Sequence, residues 1–351
     1  MNRENFAKRL LMWYDAGHRD LPWRHTTDAY RVWISEIMLQ QTRAETVVSY
    51  YDRFLSRYPT VYDLAAAPEE ELLKCWEGLG YYSRARSLQK AAKLIVSEHG
   101  GRLPADVKAL RELPGVGDYT AGAIASIAFG IPAAAVDGNV ERVICRHEAI
   151  EDVVGTPAVR RMIAEKTQEL IPQDRPGAFD NAMMELGATV CTPKNPACLI
   201  CPVRASCRGL ACGIAQELPH KMKKKAQRLE NRAVLLVFCN DRVLIQKRQE
   251  KLLHGLFVFP DVLGESEPAR LCGALESKGI RAAYDEYLGR AKHVFTHIIW
   301  EMDVHALIAD EMTDVDDGQW VTGEELESLP LPTAVKAARQ WAMERLGQPG
   351  R

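Results

Sequence analysis

The sequence predicts a two-domain protein whose first part is all-α and whose second is α+β. Three observations carry this. The chain has 351 residues, about twice the roughly 150 of a typical domain. Apolar residues recur at helical spacing through the first two hundred positions, and β-rich runs bounded by turn residues appear only after Cys212. A composition of 47% hydrophobic and 26% charged residues lets each part bury a core and excludes long disorder. No apolar run reaches 18 residues, and MNRENFAKRLLMWYDAG lacks a signal-peptide core, so a soluble, intracellular protein is expected. A net charge of −2 excludes a histone-like electrostatic binder and leaves room for a local basic face.

The helical elements come in order. In Asp28–Gln40 the residues Tyr30, Trp33, Ile34, Ile37 and Met38 form one apolar stripe, and Leu72–Trp76, Leu88–Val96, Ala121–Phe129 and Met162–Leu170 repeat the pattern. Leu218–Arg232 sets Lys221, Lys223, Lys224, Lys225, Arg228 and Arg232 against the single acid Glu230 and reads as a basic linker, placed at 216–231. Beyond it, RAVLLVFC and RVLIQKR flank Asn240–Asp241 as a hairpin. Leu256–Phe259, Ile298–Ile308 and Gln319–Val321 are further strands, while Glu267–Lys278 and Thr333–Leu346 are helices. The expected domains are therefore 1–215 and 232–351.

Nine cysteines in a reducing compartment should not be disulfides, and five of them fall between Cys191 and Cys212. Cys191, Cys198, Cys201 and Cys207 form C-x6-C-x2-C-x5-C within 17 residues. Four thiolates on so short a loop can hold tetrahedral zinc or a cubane iron–sulfur centre, and Cys212 is an alternative to Cys207. The single C-x2-C pair favours iron–sulfur over a zinc knuckle. Cys75, Cys145, Cys239 and Cys272 read as small buried hydrophobes.

Leu113-Pro114-Gly115-Val116-Gly117 lies between a helical segment at Val107–Glu112 and another from Asp118 through Ala128. Its glycines allow a tight turn, and the next helix presents unpaired N–H groups suited to a phosphate. Asp137 follows Gly117 by twenty residues; taken alone it is a helix N-cap. The cysteine spacing resembles the 4Fe–4S loop of the endonuclease III superfamily of DNA glycosylases, and LPGVG resembles that superfamily's helix-hairpin-helix. The resemblance implies an all-α glycosylase domain with the hairpin at about 107–129 and the cluster loop at 191–207. It implies backbone-amide grip on DNA through Leu113, Gly115 and Gly117, often with a monovalent or divalent cation, and Asp137 as the catalytic aspartate.

Glycosylases take the target base out of the duplex, and a carboxylate then stabilises oxocarbenium charge on the sugar. Lyase-competent members carry a lysine nucleophile after the hairpin; Tyr119 stands there, implying a monofunctional enzyme. Trp33-Ile34-Ser35-Glu36-Ile37-Met38-Leu39-Gln40-Gln41-Thr42 closely resembles the WxSExMLQQT segment of adenine DNA glycosylases of the MutY type. By that resemblance Glu36 protonates adenine and later handles the attacking water, with Tyr119 and Asn139 arranging the site around Asp137. Pro22-Trp23-Arg24 and Gly78–Arg86 match as well. The resemblance places Gln41 and Tyr81 in the base stack, and Arg84 and Arg86 are phosphate candidates.

The second part resembles the Nudix (MutT)-like domain of that family, which recognises 8-oxoguanine. Lys292-His293-Val294-Phe295-Thr296-His297 matches the family's Phe-Ser-His segment with threonine for serine, which keeps the hydroxyl and adds χ1 stiffness. Pro268–Ile280 offers only Glu276 where a pyrophosphohydrolase needs several carboxylates for magnesium, so recognition is expected and hydrolysis is not. The expected function is removal of adenine from A:8-oxoguanine or A:G mispairs in double-stranded DNA, by a monomer with no membrane association, in bacterial cytoplasm at the nucleoid. A pyrimidine-lesion glycosylase and a non-catalytic iron–sulfur DNA-binding protein are the alternatives.

Overall fold

The computed structural model describes residues 3–222, 226–264 and 266–347. Lys223, Lys224 and Lys225 of the basic run lie outside them. The chain divides into two compact units, one of 1–66 with 86–223 and one of 67–85 with 224–351.

The first unit is helical, as the apolar periodicity requires. Its helices are α1 (Arg3–Ala16), α2 (Ala29–Leu39), α3 (Ala44–Arg57) and α4 (Val61–Ala66). After α5 (Glu69–Cys75), which belongs to the second unit, come α6 (Ser83–Glu98), whose first turn is shared with that unit, and α7 (Val107–Glu112). They are followed by α8 (Asp118–Phe129), α9 (Gly138–Glu148), α10 (Pro157–Leu170), α11 (Pro176–Thr189) and α12 (Arg208–Ala211). The ends follow from local chemistry. Asp28 caps α2 by accepting from the Arg31 amide, Thr156 caps α10 with Pro157 at its first position, and Gly130 closes α8 at φ 66°. The stripe read in Asp28–Gln40 is buried along α2. A core of Phe6, Leu10, Val143, Ile144, Phe179, Met183 and Leu186 joins α1, α9 and α11.

Two glycines set how closely α8, α9 and α11 approach. A Cβ on Gly122 would lie 2.3 Å from the Ala134 carbonyl oxygen, and one on Gly187 would lie 2.5 Å from Asn139 Cβ. Backbone therefore meets backbone beside the residues that frame the site.

The second unit is built on a sheet of β1 (Arg228–Cys239), β2 (Arg242–Lys247), β3 (Phe257–Val258), β4 (Asp261–Leu263), β5 (Ala282–Val294), β6 (Ile298–Ala309) and β7 (Gly318–Val321). Its order is β3-β2-β1-β6-β5, with β4 paired to β1 and β7 to β2. Asn240 at φ 55° makes the expected β1–β2 turn. β1 begins four residues before the apolar run RAVLLVFC, pairing in parallel with β6 from Arg228 opposite Ile298. The charged start is accommodated because Glu230 accepts from Arg232 and from the Trp300 indole at 2.9 Å. β5 is a further departure from the sequence reading: its burial alternates and its solvent side is charged, so no apolar run marks it. Helices α13 (Pro268–Glu276), α14 (Gly323–Ser328) and α15 (Lys336–Leu346) complete the unit. Two cores, around Leu236, Ile245 and Trp300 and around Leu235, Leu271 and Leu307, lie among its apolar residues.

Residues 67–85 are tied into this unit by polar contacts of long sequence range. Lys74 Nζ donates to the Leu329 carbonyl at 3.0 Å, Arg339 to Glu77 at 2.8 Å and Lys247 to Glu70 at 2.7 Å. The Tyr81 hydroxyl stands 2.9 Å from Thr296 Oγ1.

Candidate active site

A cavity of about 700 Å³ opens in the first unit, lined by Arg24, Glu36, Gln41, Tyr119, Asp137 and Asn139 among others. Local structure fixes each of these groups. Glu36 sits in mid-α2, where Trp33 and Ile37 hold the helix against the core, and it is only 2% exposed. Tyr119 lies in the first turn of α8, directly after the hairpin, and its hydroxyl donates to Glu36 Oε2 and touches Met184 Sδ. Gly115 makes the hairpin turn at φ 80°, where a Cβ would meet Ser87.

Asp137 is the N-cap of α9 and a wall of the cavity at once. Its Oδ1 accepts from the amides of Asn139 at 2.9 Å and Val140 at 2.7 Å, and its Oδ2 accepts from Asn139 Nδ2 at 2.8 Å. Arg142 in turn holds Asn139 Oδ1 at 2.8 Å. Asn139 thus holds Asp137, whereas Tyr119 pairs with Glu36.

The two carboxyls are electrostatically distinct. Burial pushes the Glu36 carboxyl up to about 7, against the Tyr119 hydroxyl and Arg24 and with the added repulsion of Asp137. Burial also raises Asp137, but two backbone amides and the Asn139 side chain oppose it by stabilising the carboxylate. One group keeps its proton near neutrality and the other is held as an acceptor, the division of labour an acid-and-carboxylate pair needs.

Sequence reasoning missed the wall formed by α11. Glu185, 2% exposed, accepts from Arg19 at 2.9 Å and from Arg24 at 2.7 Å and so anchors Arg24. Asn181, Met184 and Ala188 line the cavity. Acidic residues at 180 and 185 inside the largely apolar helix AFDNAMMELG are the signal that would have found it.

The cysteine loop is knitted together by Arg146, 1% exposed, which donates to the carbonyls of Leu218 at 2.8 Å, Thr192 at 2.7 Å and Pro193 at 3.1 Å and to Cys191 Sγ at 3.4 Å. Cys191, Cys198, Cys201 and Cys207 all border one small cavity of about 30 Å³. Among the described residues no group of three or more His, Cys, Asp or Glu side chains is placed to hold a metal ion. Cys212 is exposed and does not line that cavity. Burial raises the Cys201 thiol to about 11 and raises Cys207, so these thiols want a positive partner before they ionise. The donor set fits a thiolate-bound iron–sulfur core, with Arg146 as a fixed cation beside it.

Gln41, at φ 57°, is exposed at the cavity mouth. Leu113 is buried, and Gly115 and Gly117 are exposed before α8. In the second unit Tyr81 is exposed at φ 47°. Phe295, Thr296 and His297 form the β5–β6 turn, with Phe295 edge-on to His293 and Trp300. Arg84 requires a correction. Expected at a phosphate, it is 9% exposed, donates to the carbonyls of Leu79 at 3.0 Å and Gly80 at 3.1 Å, and lies against the Trp76 and Tyr81 rings. The loop Gly78–Tyr81 leaves its carbonyls without a ladder, and the guanidinium serves them. Arg86 is half-buried. Helix α13 carries Glu276 as its one carboxylate.

No helix among the described residues is long and apolar enough to cross a membrane. Fold and site define a base-excision DNA glycosylase: the model for the HhH-GPD superfamily of base excision DNA repair proteins matches residues 34–173, and that for the NUDIX domain matches 233–340. Among solved structures, a thermostable thymine-DNA glycosylase aligns at TM-score 0.54 with 33% identity over 60% of this chain and 97% of its own. A trapped endonuclease III–DNA covalent intermediate aligns at 0.51 with 26% identity, over 61% and 99%. The human adenine DNA glycosylase is 37% identical over 94% of this chain and 72% of its own length, and that of Buchnera aphidicola subsp. Baizongia pistaciae is 28% identical over 94% of each. The chain belongs to the adenine DNA glycosylases, hydrolases that cleave an N-glycosidic bond in base excision repair.

Proposed function

We propose that the protein excises adenine mispaired with 8-oxoguanine, and with guanine, from double-stranded DNA by flipping the base and hydrolysing its glycosidic bond without cutting the strand. The observation that carries this is the pairing, in one cavity, of a buried Glu36 that keeps its proton near neutrality with an Asp137 held by three donors. Adenine flipped into the cavity receives the Glu36 proton on a ring nitrogen and leaves neutral, while the Asp137 carboxylate faces the sugar as its positive charge develops. Glu36, now ionised, takes a proton from the attacking water. Tyr119 offers a hydroxyl where a lyase needs an amine, and its bond to Glu36 orients that carboxyl.

In this reading the hairpin Leu113–Gly117 and the amides opening α8 take a DNA phosphate, with a monovalent or divalent cation at the turn. Gln41 and Tyr81 enter the base stack, and Arg86 meets the backbone. The protein acts as a monomer, with the helical unit as the glycosylase domain and the sheet-bearing unit, whose β1 opens at Arg228, as the recognition domain. The test is adenine release from an A:8-oxoguanine duplex, with and without alkali. Release with strand scission only after alkali is the expected result. Release of a damaged pyrimidine instead, or of no base, overturns the reading.

Cys191, Cys198, Cys201 and Cys207 would hold a 4Fe–4S cluster, which supplies a rigid, charged cross-link to the loop. Purified protein should be brown with about four irons per chain. Cys198→Ser should lose them, whereas Cys212→Ser should retain them. Iron loss in the Cys212 variant would reassign the ligands.

Recognition of 8-oxoguanine is assigned to Phe295, Thr296 and His297. Support comes from the Thr296 hydroxyl, which already holds the Tyr81 hydroxyl at 2.9 Å, so the stacking residue and the reader of the opposite base occupy one place. Oxidation turns ring nitrogen seven into a donor, which a hydroxyl can accept. One neutral hydrogen bond contributes about 0.5–1.5 kcal/mol. Thr296→Val with His297→Ala should therefore lower the preference for A:8-oxoguanine over A:G by up to about tenfold per bond lost, with excision otherwise intact. A preserved ratio of single-turnover rates would make these residues structural.

A further inference from the structure

Gln227 and the first residues of β1 fall in the basic stretch that reads as a linker, yet they border the turn that carries Thr296. β1 and β6 pair in parallel from Arg228 opposite Ile298, and Phe295, Thr296 and His297 stand just before β6. The Arg228 amide donates to the His297 carbonyl at 3.0 Å. One residue earlier, where the ladder has ended, the Gln227 side-chain amide donates to the Phe295 carbonyl at 2.6 Å. A primary amide offers the same N–H donor as a peptide group, so Gln227 continues the ladder across the turn with its side chain. The carbonyls on either side of Thr296 are thereby both taken by β1 and the residue leading into it.

The Phe295 ring is held from the same strand by a second route. It packs edge-on to Trp300 with ring centroids 4.9 Å apart, and Glu230 of β1 accepts from the Trp300 indole at 2.9 Å. Arg228 and Arg232 both pair with Glu230, and the Arg232 guanidinium lies 4.4 Å from the centre of the Trp300 ring. Within the turn the Phe295 amide donates to the Ile298 carbonyl at 2.8 Å.

These bonds fix the residues before and after Thr296, which is itself exposed. A short exposed turn samples several backbone conformations unless groups outside it hold it. A hydroxyl that distinguishes a ring donor from a bare ring nitrogen has to be held to within roughly 0.5 Å, because a hydrogen bond weakens steeply when it is misaligned. Gln227 is exposed, so its side chain contributes this anchor without filling any core.

We propose that Gln227 is a positioning residue for specificity: its side-chain amide, beside the Arg228 amide, locks the 295–297 turn so that the Thr296 hydroxyl is presented to the base opposite adenine. This deepens the assignment of 8-oxoguanine recognition to that turn and rests on it. The stretch between the helical and sheet-bearing units thus ends in a part of the reading device.

The test is single-turnover adenine release by the full-length protein from A:8-oxoguanine and A:G duplexes, read as the ratio of the two rates. Gln227→Ala should lower that ratio by about two- to tenfold, the scale of one neutral hydrogen bond, and should do so through the A:8-oxoguanine rate. Gln227→Glu keeps the length of the side chain but has no donor at neutral pH, so it should lower the ratio as well, whereas a purely steric role would spare it. In a Thr296→Val background Gln227→Ala should lower the ratio little further, because a positioning residue acts only through the group it positions. An unchanged ratio in both Gln227 variants, or a fully additive loss in the Thr296→Val background, overturns the proposal. If Thr296→Val with His297→Ala keeps the full ratio, the recognition reading fails and this inference falls with it. That result is distinct from failure of Gln227 alone, in which the double variant loses preference and the Gln227 variants keep it. Amide hydrogen exchange in the free protein gives a readout that needs no DNA: the Arg228 and Phe295 amides should exchange several-fold faster in Gln227→Ala, and unchanged exchange at both rejects the anchor.

Discussion

Replacing Glu36 by glutamine should lower single-turnover adenine release by at least about 10², the usual scale for a general acid, while leaving affinity for mispaired DNA close to unchanged. Glutamine keeps the size of the side chain and can still meet the Tyr119 hydroxyl, so the cavity wall is preserved and only the transferable proton is removed. The pH dependence follows in sign. In the proposed mechanism Glu36 acts in its protonated form, and burial pushes its carboxyl up to about 7, so release should be fastest below that value and decline as pH rises through it. The variant should have no such decline. If Glu36→Gln releases adenine at a near-normal rate, the proton comes from another group.

Replacing Asp137 by asparagine should cost a comparable factor of at least about 10² in release, for a different reason. In the proposed mechanism its charge faces the sugar cation, and an amide carries none. The cap separates this effect from folding. Asparagine ranks with aspartate as an N-cap, so its side-chain oxygen continues to accept from the Asn139 and Val140 amides. The melting temperature should accordingly move little, whereas Asp137→Ala, which removes the cap as well, should cost about 0.5–2 kcal/mol of stability. Melting curves and excision rates on the same preparations separate the two roles. A large loss of stability in Asp137→Asn, or a normal rate, would refute the assignment.

Much of this was legible in the sequence, for reasons that particular residues make clear. The stripe of Tyr30, Trp33, Ile34 and Ile37 marks α2 because a helix repeats its buried face every three to four residues. Pro114 and Gly115 mark the hairpin because a proline of fixed φ followed by a glycine free to take φ 80° makes a tight turn. Where the sequence reading fell short, burial and long-range pairing are responsible. Arg84 looks like any surface arginine until the carbonyls of Leu79 and Gly80 claim it. β5 carries charge on its outer side because only its partner β6 gives it an inner one. The family resemblance sets Tyr119 around Asp137, but its hydroxyl meets Glu36, 83 residues away in the chain. Asp180 and Glu185 gave only a faint signal, acids in an apolar helix, because their partners Ala135, Arg19 and Arg24 lie on other elements.

The contacts of residues 67–85 bear on how the molecule is made. That segment leaves the ribosome well before the strands and helix that hold it, since Arg339 lies 262 residues beyond Glu77 and Leu329 lies 255 beyond Lys74. At roughly 5–20 residues per second, more than ten seconds of elongation separate the two partners. Through that interval α5 is without its sheet. The second unit is therefore completed after translation by closing a loop of this length. The entropy of that closure grows only logarithmically with chain length, so the delay is a matter of timing more than of final stability. Slower release of the carboxy-terminal strands, as at a ribosomal pause in the basic run, would prolong the exposure of Leu72 and Leu73, both buried in the finished fold.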